Sequence, residues 1–115
     1  MNADIRCVKI KLKPNSSDKA KQWAHEINTR KNEALESLAK EGITLEAAFL
    51  DHIDGVDYLV YVMKGDILGS KAIAASSTST LDLYHNQFKK DCWESIKELE
   101  PLVWLEPLLD EENAS

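Results

Sequence analysis

Two ionisable side chains stand where the helical spacing of their neighbours calls for apolar ones. His85 falls between Leu81 and Phe88, and Lys31 falls within the run Ala20, Ala24, Ile27, Leu35 and Leu38 when positions are laid out at 100° per residue. A lysine on an apolar stripe must reach water, pair with a carboxylate or line a polar pocket, because unpaired burial of charge is expensive. An inward histidine is either a hydrogen-bonded core residue or a proton-transfer group. Neither has a carboxylate at i±4 on its own helix: Ile27 and Leu35 flank Lys31, and Leu81 and Lys89 flank His85. Two helices on one sheet would bring the pair to one cavity. There a cationic lysine keeps the imidazole neutral, which suits a base or an anchor for an anionic substrate. Lys31 and His85 are therefore the candidate catalytic residues, and Trp23, Tyr61, Phe88 and Cys92 the candidate ligand-binding lining. Cys92 follows His85 by two helical turns, roughly 10 Å along the axis, too far for a Cys/His nucleophilic pair. It reads as a small buried group.

Other chemistries lack their motifs. The chain has no Gly-rich phosphate loop, no Ser-His-Asp order, no HExxH and no zinc spacing of cysteines. Asp51, Asp54 and Asp57 cluster at one turn without a calcium-loop pattern. No metal and no cofactor is expected.

The elements that must position these residues follow from periodicity. Residues 5–13 alternate, with Val8, Ile10 and Leu12 on one face and Cys7, Lys9, Lys11 and Lys13 on the other, which predicts a strand. Ser16 or Ser17 can cap a helix over residues 17–40, which Gly42 terminates. Strands over 43–51 and 56–63 flank Asp54-Gly55, a strong hairpin signal, and both are apolar on both faces. A short helix over 66–76 precedes one over 80–97, whose Ser79 and Asp82 form a capping box and whose inward stripe is Leu81, His85, Phe88, Cys92 and Ile96. A last strand over 98–106 contains Pro101, which cannot donate to a ladder, so the strand begins there or lies at an edge. Residues 1–107 form one domain in this reading, and 108–115 a disordered acidic tail.

That order, βαββ(αα)β, is a ferredoxin-like α+β layout with a four-stranded antiparallel sheet and helices on one face. The last strand neighbours the first, so Lys9, Lys11 and Lys13 can face Glu98, Glu100 and Glu106. The helix-free face, apolar on the hairpin strands, requires a partner, and a second copy of the chain is the simplest one.

Charge narrows the partners. Residues 1–40 carry nine Lys/Arg against five Asp/Glu, while 41–115 carry five against fifteen, for a net charge of −6 over 115 residues. An acidic domain repels phosphate backbones and anionic lipid, so neither nucleic acid nor membrane is an expected partner. An RNA-recognition module of this layout would also need exposed aromatics on its first and third strands, and the first strand has none. No apolar run approaches the roughly 18 residues of a membrane span. Asp4 and Arg6 interrupt any secretory apolar run, and two cysteines on separate elements read as reduced thiols. The expected location is cytoplasmic.

Val8 to Pro14, Asn28 to Ala34 and above all Tyr84-His85-Asn86-Gln87-Phe88-Lys89-Lys90-Asp91-Cys92-Trp93-Glu94 resemble a family of short, uncharacterised bacterial proteins in the dimeric α/β-barrel superfamily. The resemblance runs to about Leu105 and implies the fold and the dimer. It brings no catalytic residue with it. The functional expectation is a homodimeric domain binding a small organic molecule, with acid/base or cofactor-free oxygenase-type activity. The alternative is a non-catalytic homodimer whose apolar surface serves assembly alone.

Overall fold

Alternation in residues 4–12 builds the central strand, and everything else is arranged about it. The computed structural model describes residues 4–107, apart from the side chain of Ala75; the tail expected at 108–115 lies outside these residues. In chain order the elements are β1 (Asp4–Leu12), α1 (Ser17–Thr29), α2 (Lys31–Glu41), β2 (Ile43–Ile53), β3 (Val56–Gly65), α3 (Ile67–Ser76), α4 (Thr80–Cys92) and β4 (Trp93–Leu99). The sheet is antiparallel with order β2-β3-β1-β4, an α+β, ferredoxin-like fold. The last strand does neighbour the first.

Register decides which side chains meet. Val8 lies opposite Tyr61 and Ile10 opposite Leu59, and Tyr61 and Leu59 in turn face Ala48 and Leu50 of β2. This row points toward the helices, with Val8, Ile10, Leu12, Leu59 and Tyr61 buried against Ala20, Trp23, Phe88 and Cys92. The β2–β3 turn has Asp54 and Gly55 at φ 50° and 78°, the paired left-handed conformations of a type I′ hairpin. Gly42, at φ 75°, ends α2 by donating its N–H to the carbonyls of Ala39 and Leu38.

Three expectations need correction. The long first helix is two. Arg30 leaves the helical region at φ −109°, ψ 40°, and the Thr29 hydroxyl donates back to the Glu26 carbonyl at 3.0 Å. Arg30 then holds the break, its guanidinium donating to Glu33 at 2.6 Å and to Thr80 of α4 at 2.7 Å. Second, α4 stops at Cys92, and Ile96 belongs to β4 opposite Ile10, where it is 52% exposed. The Cys92 carbonyl accepts from the Lys13 N–H at 2.7 Å, which displaces the helical bond that residue 96 would have made. Pro101 accordingly follows the strand instead of lying within it. Third, the lysine pairs are different: Lys9 meets Asp51 at 3.6 Å, Lys11 meets Glu94 at 3.1 Å, and Lys13 donates to the Lys90 carbonyl. Glu98 instead receives Arg6 at 2.6 Å, and Glu106 pairs with Lys64.

The opposite sheet face carries Val60, Val62, Leu45 and Phe49, uncovered by any helix among the described residues, with Phe49 61% exposed. Among the described residues no helix is long and apolar enough to cross a membrane.

Candidate functional site

Aromatic side chains from three elements meet over β3. Trp23 of α1 stacks on Phe88 of α4 with ring centroids 4.9 Å apart and planes 10° from parallel. Tyr61 of β3 lies 6.2 Å from Trp23 and 6.5 Å from the His85 ring. The cluster closes the floor of a cavity of about 640 Å³ between the helices and the sheet. That volume suits a ligand of ordinary metabolite size.

His85 reaches this cavity from the inward face of α4, where the helical spacing puts it. The Trp23 indole N–H donates to its Nδ1 at 3.1 Å. Burial, reinforced by the positive charge of Lys89, pushes the imidazole down to about 4, against a weaker opposite pull from Asp82. The ring is thus neutral at physiological pH. An indole nitrogen can only donate, so Nδ1 carries the lone pair and the proton sits on Nε2. His85 is a hydrogen-bond donor toward any ligand.

The acidic partners come from residues that the helical stripes did not single out. Tyr61 donates its hydroxyl to Glu46 at 2.9 Å. Glu46 is an exposed residue whose carboxyl is packed into the cavity wall beside Tyr61, and the desolvation there raises it above its ordinary value, although the Tyr61 hydrogen bond and Lys89 oppose that. Tyr61 is itself raised well above its ordinary value, by burial first and by the Glu46 charge second. Glu41 is also raised, through burial and the charges of Asp82 and Glu46. Asp82 behaves oppositely: burial disfavours its charge, yet contacts from Ser37, Ser77 and Ser79 outweigh that and hold it low. Ser37 reaches its two oxygens at 2.6 and 2.8 Å. One cavity therefore contains carboxyls of two kinds, two raised above their ordinary values and one held below it. Among the described residues no group of three or more His, Cys, Asp or Glu is placed to hold a metal ion.

Of the residues singled out in the sequence, Trp23, Tyr61 and His85 are brought together here. Phe88 is buried behind Trp23, and Cys92 is fully buried in the core away from the cavity wall. Lys31 is elsewhere. It opens α2 as an exposed residue, because the break at Arg30 resets the helical phase and turns Ala34, Ser37, Leu38 and Glu41 toward the cavity instead. Lys31 and His85 do not share a site, and the cation that helps keep His85 neutral is Lys89. Glu46 had one legible signal: it is an acid in the same alternating row as Ala48 and Leu50.

The whole architecture recurs in a solved structure, an L-rhamnose mutarotase from Formosa agariphila. That protein matches with TM-score 0.56 over 90% of this chain and 99% of its own, at 14% sequence identity. The likeness is one of fold. No curated protein matches the chain. The model of a family of unknown function, DUF6176, matches residues 3–113, and the chain belongs to that family.

Proposed function

We propose that this chain is a homodimeric domain that binds a small hydroxyl- or carbonyl-bearing molecule in the cavity and moves a proton on it by acid/base catalysis. The observation carrying the proposal is the Tyr61–Glu46 hydrogen bond of 2.9 Å, set in the cavity wall beside the neutral His85. A carboxyl raised by burial lies closer to the working pH and so both takes and returns a proton more readily. Glu46 is assigned that transfer, and Glu41, which lines the same cavity and is raised by burial and by the charges of Asp82 and Glu46, is assigned the complementary one. Tyr61 positions Glu46. His85 Nε2–H stabilises the substrate oxygen on which negative charge grows.

The fold neighbour is named for a mutarotase reaction. Interconverting the anomers of a sugar requires that one oxygen lose a proton while another gains one, and paired carboxyls with an imidazole donor supply those groups. Free sugars and related hemiacetals are the substrate class to test first. The paired proton groups favour this chemistry over a cofactor-free oxygenase. Dimerisation would use the helix-free face, where Phe49 and Leu45 are exposed.

The test is magnetisation-exchange NMR on a panel of free aldoses and ketoses. Anomer exchange should accelerate with the native protein and fall by about 10²-fold or more with Glu46→Gln. If no sugar exchanges faster, the catalytic assignment fails and the non-catalytic homodimer is the reading that stands.

A further inference from the structure

The cavity does not end at the proton-transfer groups. Trp23, Ile27, Glu46 and Tyr61 also border a second crevice of about 390 Å³, which runs between α1 and the outer strand β2. The wall of this crevice has a different character. Ala20 and Ala24 line it from the helix, and Ala48, Leu50 and Leu59 from the sheet. Ala48 belongs to the helix-facing row of β2 and is nevertheless exposed. Alanines here leave open a channel that leucine-sized side chains would fill, and unfilled apolar volume costs stability. The crevice adjoins the polar cavity along Trp23, Ile27, Glu46 and Tyr61, which line both.

We infer that the ligand of this site is amphiphilic: a hydroxylated head at Glu46, Tyr61 and His85, and an unbranched apolar chain lying under α1 across Ala24 and Ala48. The inference rests on the proposed acid/base site for its head position and adds the substrate class. The occupant follows from the adjacency of the two spaces and the apolar character of most of the second. A chain leaving the polar cavity past Tyr61 enters a crevice walled mainly by Ala20, Ala24, Ile27, Ala48, Leu50 and Leu59, to which α1 adds the polar side chains of Lys21 and Asn28, so most of what it meets is apolar.

The experiment uses 1,2-alkanediols of three, six and eight carbons with the full chain, their affinities read from Trp23 fluorescence and protein-observed NMR. Affinity should rise about fourfold per added methylene, since each buried methylene is worth about 0.8 kcal/mol and 1.4 kcal/mol is tenfold. In Ala48→Leu the slope should flatten, and Ala24→Leu supplies the same obstruction from the helix side if the first variant fails to fold. A flat slope in the native protein, or an unchanged slope in a folded variant, overturns the inference. So does loss of the dimer in Ala48→Leu together with a flat native slope, which would assign the crevice to a second copy. The head position is read separately: if propanediol binds and Glu46→Gln abolishes that binding while longer diols bind no tighter, the site stands and the amphiphile falls. If no diol binds at all, both fall.

Discussion

The two faces of the sheet are built from the same strands and end in opposite states. On the helix side, Ile10, Leu12 and Cys92 are almost wholly buried, Tyr61 is matched to Glu46 and Trp23 to His85, and the buried indole N–H of Trp93 has no partner among the described residues. On the other side, Phe49 stands 61% exposed among ion pairs such as Lys9–Asp51 and Lys11–Glu94, with Lys9 4.6 Å over the Tyr58 ring. The difference separates two uses of apolar surface. The covered face uses burial for folding and leaves the cavity and its adjoining crevice open. The bare face keeps apolar groups at the surface beside charges, the composition of an interface more than of a core.

Mutations on the two faces should therefore fail differently. Phe88→Ala empties the stack behind Trp23 and should cost roughly 3–5 kcal/mol in a denaturant titration. A loss under about 1 kcal/mol would mean that the helix-side cluster is not the folding core. Phe49→Asp should leave folding nearly intact but convert a particle of about twice 13.0 kDa to one of 13.0 kDa by light scattering at micromolar concentration. A native monomer that persists at high concentration would remove the distinction between the faces.

Protonation sharpens the contrast further. The folded-state pKa of His85 lies at about 4, below its ordinary 6.5, so the unfolded chain binds a proton that the folded one refuses. Its contribution to stability is present above pH 6.5 and is lost as pH falls toward 4, by at most about 1.4 kcal/mol per unit. Glu46 and Glu41, both raised, act in the opposite sense, each favouring the folded state as it gains a proton. The His85 part is therefore read as the difference between native protein and His85→Gln, which should shrink as pH drops from 6.5 to 4. A pH-independent difference would refute it. The smallest effect is expected at Lys31→Ala, within about 0.5 kcal/mol, as befits an exposed first residue of α2.

Strand alternation in β1, the Asp54-Gly55 turn and the inward position of His85 were all legible in the sequence, because each depends on local period or local turn chemistry. What the sequence hid depends on long-range partners. Ile96 continues a helical stripe faithfully, yet the Lys13 N–H takes the Cys92 carbonyl and the chain leaves as a strand. Lys31 is on the stripe only if the first helix is continuous, and Arg30 bonds across to Thr80 of α4 where it breaks. Glu46 was visible as an acid in an apolar row, but its value lies in Tyr61, fifteen residues away and two positions from the facing Met63. The site is a product of register.

The central claim is that the cavity holds its proton-transfer groups preset before any ligand arrives. The most direct measurement is an NMR pH titration of the free protein that follows the Glu46 side-chain carboxyl carbon and both His85 ring nitrogens. The expected result is a Glu46 midpoint above its ordinary 4.5, together with a His85 ring that stays neutral, protonated on Nε2 alone, until the pH nears 4. A Glu46 midpoint at or below 4.5, or a His85 that carries its neutral-state proton on Nδ1 or titrates near 6.5, would contradict it.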